Sequence, residues 1–371
     1  MADFVIIGGG VYGVAAAWHL AQGGAEVLVL ERWTVASGAS GGPGRRGVRA
    51  NGRDRRELPL MREAYPVWEG IHDLLGQDGL FERTGNLKLV GREQDMHQAH
   101  GQAWMQNRLG IETHVLDAAQ VREIEPHVEP GVLGDILCPN DGVADHTATT
   151  RAYAAAARRA GVEIREQTEA VGIEYDRRGN ASGVRLADGA VAEAAAGVLV
   201  LSNWSVPELL AGAIDMPVWS EAFQVLVSRP VAAVPFRHVI GHTNRTLSLK
   251  EEPGNRIMIS GGYRGHYDRA THVGKATQSS IDANVADTVA TYPSLAGIEI
   301  EVADAGHLES VSVDQVPVID CLPDSPNVWY ATGWCGHGWA IAPVVARLIA
   351  DAARERACPA LLQPFSRARF G

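Results

Sequence analysis

The sequence predicts a doubly wound α/β domain joined to a second domain built on an antiparallel β-sheet. Three observations predict it. Residues 3–32 run strand, glycine-rich turn, helix, strand and acid in one short unit. Two later segments read as strands, residues 197–201 as a fully buried one and residues 327–332 as the last. Between them, residues 216–260 hold several short segments that alternate or are β-branched, the mark of an antiparallel sheet.

Phe4-Val5-Ile6-Ile7 is the first strand, and Gly8-Gly9-Gly10-Val11-Tyr12-Gly13 follows at once. Gly8 makes the tight turn, Gly10 lets backbone approach a pyrophosphate, and Gly13 lets the helix lie close on the strand. The alanine-rich helix that follows presents free N–H groups and a partial positive charge to phosphate. A second strand over residues 25–30 runs into Glu31, placed to bond a ribose 2′-hydroxyl. The unit is thus an FAD/NAD(P)-binding, Rossmann-like signature. A 2′-phosphate would be repelled by Glu31, so NADP is not expected, while NAD and FAD both remain open on these residues.

The chain has 371 residues, 46% hydrophobic and 21% charged, ample for two cores. Its formal net charge of −11 and the lack of a basic run argue against nucleic acid and anionic membrane as partners. Cys138, Cys321, Cys335 and Cys358 show no C-x-x-C spacing, which points to a reducing compartment and no metal cluster. No apolar run reaches spanning length, and the first strand begins too early for a signal peptide, so a cytoplasmic location is expected.

After the second strand, residues 36–44 are almost all small, a loop where backbone must approach something closely. Arg45, Arg46, Arg49 and Arg53 come directly after it; a planar guanidinium suits phosphate or a substrate carboxylate. Arg45, Arg53 and Arg55 read more simply as solvated surface charge. Residues 57–75 have helical spacing, with Trp68 on the core side.

The dinucleotide unit, the Ala36-Ser37-Gly38-Ala39-Ser40 loop and the arginine-bearing stretch resemble the glycine/D-amino acid oxidase superfamily of FAD enzymes. The likeness is greatest to sarcosine oxidases and to the β subunits of heteromeric amine oxidoreductases. It implies FAD, with Glu31 on the adenosine ribose and Ser37, Ala39 and Ser40 near the rest of the cofactor. It also implies contacts from Arg32, Arg45, Arg46, Gly47, Val171, Ser202, Trp204 and His307. The division it implies is an FAD domain of residues 1–82, 141–214 and 307–371, and a substrate domain of residues 83–140 and 215–306.

The remaining elements follow in order. Residues 81–90 read as a glycine turn and strand, residues 94–109 as a polar helix whose His97 and His100 are surface residues, and residues 117–125 as a capped helix before Pro126. Asn140-Asp141-Gly142 is a turn, and Asp145 begins an alanine–arginine helix closed by Gly161. A small meander over residues 168–193 precedes the buried strand at residues 197–201, with Ser202-Asn203-Trp204-Ser205 closing it. Relatives carry Ala-Gly-Ala-Trp-Ser here. Tyr263, Arg264, His266 and Tyr267 leave the sheet near residue 260 and are either ligand contacts or turn residues. Residues 272–292 read as an outer polar helix.

His307 stands where covalently flavinylated relatives have cysteine, so a thioether is impossible; a histidyl linkage stays open, and non-covalent FAD is expected. Gly333-Trp334-Cys335-Gly336-His337-Gly338-Trp339 is a second glycine-rich turn opening a helix. In the family this turn meets the flavin; His337 is either a flavin or substrate neighbour or a brace for the turn, and Cys335 packs. Sarcosine-type relatives have a carboxylate-binding lysine at the position of Ala340 and an oxygen-activating lysine in the strand matching residues 257–259; neither is present. A substrate carboxylate is therefore expected to rely on Arg49 and Arg46, with Tyr263 and His337 as further candidates at the reacting centre. The implied chemistry is hydride removal from a carbon next to an amine nitrogen of a secondary, D- or N-substituted amino acid, such as an opine, with O₂ or another acceptor. The alternatives are a flavoprotein subunit that passes electrons to partner subunits, and an NAD-dependent dehydrogenase.

Overall fold

A computed structural model describes all 371 residues. Its first strand, β1 (Ala2–Ile7), lies between β2 (Val27–Leu30) and Val191–Val200, parallel to both. Glu163–Arg165 adds outside β2, and Ser325–Thr332 adds beside Val191–Val200, so the centre of the sheet is parallel throughout. Such strands are buried on both faces, which is why β1 and β2 read as unbroken apolar runs rather than alternating ones. Val318–Leu322 closes this edge in antiparallel fashion.

The helix α1 (Val11–Gln22) crosses one face of this sheet and packs on Ala342–Glu355 and His146–Arg159. Ala15, Ala16 and Ala17 are wholly buried there, and side chains this small let the three helices approach closely. Asp145 caps the helix His146–Arg159 by accepting from Ala148 N at 2.8 Å. Residues 57–75 form two helices, Leu58–Glu69 and Ile71–Leu75, parted at Gly70. Trp68 is fully buried and donates its indole N–H to the Ala340 carbonyl at 2.7 Å.

Two expectations need correction. The meander's last strand and the buried strand after it are one element, Val191–Val200. Its first half pairs antiparallel with Ala181–Leu186, and its second half pairs parallel with β1. The alternating residues 191–194 and the continuous apolar residues 198–200 look like separate strands because they have different neighbours. The second large sheet is also not wholly antiparallel. It runs Ile300–Asp304, Val225–Ser228, Arg256–Ser260, Ser248–Glu252, Val239–His242, Asn86–Val90, Gly134–Cys138, His114–Asp117. Val239–His242 and Asn86–Val90 pair in parallel, because residues 86–138 and 225–304 enter the sheet as two separate antiparallel blocks.

Smaller pieces tie the sheets together. Arg45–Val48 pairs with Gly142–Asp145, and Val218–Glu221 pairs with Glu309–Ser312. The outer polar helix is shorter than its sequence pattern, Gln278–Thr291, because residues 273–275 form a strand with His266–Asp268. No helix is long and apolar enough to cross a membrane.

Candidate active site

A cavity of about 680 Å³ runs from the first glycine turn to the second large sheet. That size is within the range of small-molecule sites. The three glycines of the first turn differ in what a side chain would meet. At Gly8, with φ +111°, a Cβ would lie 2.8 Å from the Leu201 carbonyl, and at Gly13 it would lie 1.8 Å from the Gly8 carbonyl. Both answer packing demands, and Gly8 lines the cavity as well. At Gly10 a Cβ would meet nothing within 4 Å, and Gly10 lines the cavity. It caps α1 without a side-chain bond, so the first N–H groups of the helix, at Val11 and Tyr12, are left for a ligand.

Glu31 ends β2 at the cavity wall. Its carboxylate accepts from Gly9 N at 2.6 Å and from Trp33 N at 2.8 Å, which fixes both oxygens. The Arg32 guanidinium lies over Trp33 and Trp204, at 4.2 and 5.1 Å from the ring centroids, and Val171 lines the same stretch. Ala39, Ser40 and Gly47 also line the cavity, as does Ser202. Ser37 does not; its hydroxyl donates to the Thr34 carbonyl at 2.7 Å and closes the loop on itself.

The second glycine turn is held against the first. The Tyr12 ring stacks on Trp334 at 3.9 Å, and its hydroxyl donates to the Gly338 carbonyl at 2.5 Å. Ser310 Oγ accepts from Gly333 N at 2.8 Å and Trp334 N at 3.3 Å. Gly336, His337, Gly338 and Trp339 face the cavity, whereas Gly333 sits behind them in the turn. The indole N–H of Trp339 is buried and has no partner in the protein.

Arg53, expected on the surface, is buried. It is 2.9 Å from Glu57 and donates to the His337 carbonyl at 2.6 Å. His337 Nδ1 is itself 3.3 Å from Glu57. Burial alone would raise the Glu57 carboxyl, but the Arg53 charge and the His337 bond outweigh it and hold it below its usual range. This pair braces the turn; removing one member of a buried ion pair costs about 3–5 kcal/mol. The sequence shows an i,i+4 pair here but not that Leu58–Glu69 packs it inward.

The other arginines separate clearly. Arg45 turns away to Glu82, at 3.2 Å, and is not part of the cavity wall. Arg46 faces the cavity, but its guanidinium is spent on the carbonyls of Ser40, Gly42 and Arg45 and holds the small-residue loop in place. Arg49 lines the cavity half-buried, with no ion pair or side-chain hydrogen bond of its own. It is the free cation of the group. Tyr263 is turned out: its hydroxyl donates to Asp287 at 2.9 Å on the outer helix, while Gly262 and Arg264 face in. His307 is held by Asp304 at 2.9 Å and does not line the cavity.

Four polar residues of the wall escaped the sequence reading. Lys250, in Ser248–Glu252, is 5% exposed with no carboxylate bonded to it; its Nζ is 2.9 Å from Ser248 Oγ and 3.3 Å from Ser260 Oγ. Burial, then the charges of Arg49 and Arg46, pull it down to about 7 against the opposing pull of Glu252. Gln224 is 1% exposed, and neither its amide oxygen nor its amide nitrogen has a partner. Burial pushes the Glu309 carboxyl up to about 7, and burial brings His146 down to about 3. The sequence carried one signal: a lysine inside a short strand, flanked by Leu249, is a residue type seldom buried without a reason.

The open cradle at Gly10, the uncapped start of α1, the fixed Glu31 carboxylate and the unpartnered Trp339 N–H together fit a dinucleotide laid along the cavity. A family model described as DAO, FAD dependent oxidoreductase, matches residues 3–352. The sarcosine oxidase subunit beta of Arthrobacter sp is 26% identical, over 99% of this chain and 91% of its own. The glycine oxidase of Geobacillus kaustophilus is 25% identical, over 99% and 97%. Among solved structures, L-proline dehydrogenase from P. horikoshii superposes with a TM-score of 0.89 at 22% identity, covering 100% of this chain and 97% of that one.

Proposed function

This chain belongs to the DAO family of FAD-dependent oxidoreductases, which act on the C–N bonds of amines and amino acids, and we propose that its own substrate is a carboxylate-bearing amine: a secondary, D- or N-substituted amino acid. FAD being the cofactor, the NAD-dependent alternative falls away. Arg49 carries the proposal. It is a guanidinium at the cavity wall with no partner in the protein, and a carboxylate is the group its planar fork matches.

The residues that would hold FAD are Gly10, Val11 and Tyr12 at the first helix start, Glu31, and Gly336 to Trp339 at the second turn. Non-covalent binding agrees with the place of His307 outside the wall. Bound FAD supplies a two-electron acceptor for the hydride taken from the carbon next to nitrogen, which leaves an imine that water hydrolyses. The chain does the rest. Arg49 orients the carboxylate, Gln224 offers an amide to a second polar group of the substrate, and the Arg53–Glu57 pair fixes the turn that carries His337. Phe223, Val225 and Met258 keep part of the wall apolar and limit water.

The test is a matched pair of substrates. Anaerobic mixing with an N-methyl amino acid should bleach the visible flavin band, and the same amine without its carboxylate should do so at least about 10-fold less efficiently, as loss of a charge-assisted hydrogen bond implies. Equal rates would remove the carboxylate from the proposal. A second reading, a flavoprotein subunit of a larger amine oxidoreductase, is favoured by relatives named as β subunits of sarcosine oxidase, the Arthrobacter one among them. Co-purification with other subunits would support it, and an active single chain would count against it.

A further inference from the structure

Lys250 is one of three lysines in the chain, against thirty arginines. Its Nζ has two oxygens in reach, Ser248 Oγ at 2.9 Å and Ser260 Oγ at 3.3 Å. An ammonium has three N–H donors and no acceptor, whereas a neutral amine has two donors and one lone pair. The two serines satisfy the neutral form in full and leave its lone pair unmatched. They leave the charged form one donor short. The Ser260 hydroxyl donates onward to the Ser248 carbonyl at 3.3 Å, so its oxygen is turned to accept.

The charges facing Lys250 point the same way. Arg46 and Arg49 come from the segment packed across its strand, where Gly47 brings backbone close to the lysine stem. Glu252, on its own strand, is the one acid near it, and that carboxylate already accepts from Arg45 N at 2.6 Å. Opposite Lys250 in the hairpin stands Met258, which carries no charge. Two cations face the lysine, and the single acid is engaged elsewhere.

We propose that Lys250 is the proton acceptor for the substrate's ammonium group. This rests on the reading of the site as that of an amine oxidoreductase. An amino acid enters with its nitrogen protonated, and a protonated nitrogen has no electron pair to help expel a hydride from the neighbouring carbon. One N–H bond of the substrate breaks and one N–H bond forms on Nζ. The electron pair stays on the substrate nitrogen, and the positive charge moves to Lys250. Nothing is oxidised in this step. The burial that brings Lys250 down to about 7 leaves a large fraction neutral at pH 7, where an ordinary lysine would be almost wholly charged.

Two measurements test this on the FAD-loaded enzyme. With lysine labelled at Cε, the chain gives three side-chain resonances, and Lys250→Met identifies the one to follow. That resonance should titrate with a midpoint near 7, and the proposal is overturned if Lys250 stays an ammonium up to pH 10. This readout needs no substrate, so it stands even if no amine bleaches the flavin, an outcome that would sink the functional reading alone. The second measurement is the pH profile of anaerobic flavin bleaching. Wild type should rise with pH and level off above about 7. Lys250→Met and Lys250→Arg should lose about 100-fold at pH 7 and recover as the pH approaches the substrate's own amine pKa. A loss equal at every pH, with FAD still bound, would show a packing role and overturn the proposal.

Discussion

Arg46 and Arg49 are three residues apart and face one cavity, yet their surroundings give them different work. Three backbone carbonyls take the Arg46 guanidinium, so its loss should open the 40–45 loop and weaken FAD retention. Arg49 has nothing to lose within the protein. Arg49→Ala should therefore leave the yellow holoenzyme and its melting temperature nearly unchanged and raise KM for a carboxylate substrate by about 10- to 100-fold. Steady-state kinetics on the matched amines checks this; an unchanged KM would move the carboxylate elsewhere. Arg49→Lys should rescue only partly, because a lysine lacks the fork. At this scale the sequence is a poor guide. Arg45, Arg46, Arg49 and Arg53 look alike as text, and their fates are set by how the 40–45 loop folds back on Arg46, by the packing that buries the Arg53–Glu57 pair and by a strand that turns Arg45 outward.

The first strand–turn–helix unit shows the opposite case. Its roles are legible because each glycine answers a short-range steric demand, and the structure separates them cleanly. Gly13→Ala should damage the fold itself, since its Cβ would sit 1.8 Å from the Gly8 carbonyl. Gly10→Ala should leave the apoprotein's melting temperature unchanged, because its Cβ meets no protein atom within 4 Å. It should still weaken FAD binding by well over 10-fold, since the methyl would occupy ligand space. Melting curves with and without added FAD distinguish the two; equal destabilisation of both apoproteins would contradict the account. Elements whose character depends on remote neighbours were less legible. The strand Val191–Val200 reads as two because its halves pair with different sheets, and Ser248–Glu252 hides its lysine because only the folded hairpin sets Ser248 and Ser260 on either side of it.

The whole molecule places acids and bases in the cavity between its sheets that would be ordinary on a surface. Glu309 shows what this does to stability. Burial raises its carboxyl from 4.5 to about 7, although Asn203, Ser40 and the amides of Ser310 and Gly336 pull the other way. The folded chain then holds a proton that the unfolded chain has released. The resulting stability is full below about 4.5 and is lost as pH rises to about 7. Glu309→Gln lacks this dependence, so its melting temperature should gain on wild type across that window, by an amount equivalent to about 3 kcal/mol. A difference that stays flat from pH 4 to 8 would mean that Glu309 is ionised in the folded protein. The doubly wound sheet and the strand-rich second sheet were foreseeable from apolar runs and alternation, but the cavity between them was not, since it exists only where residues 7–49, 168–171, 201–264 and 309–339 meet around His146.

The central claim is that this cavity holds FAD and oxidises an amino acid at its carbon–nitrogen bond. The most direct measurement is the visible spectrum of the purified protein, mixed anaerobically with N-methyl, D-amino and opine-type amino acids and then opened to air. The account predicts a yellow protein bleached by one of these classes, with the colour returning in air or on addition of another acceptor. A protein that stays colourless after incubation with FAD, or a yellow one that none of them bleaches at any pH, would contradict it.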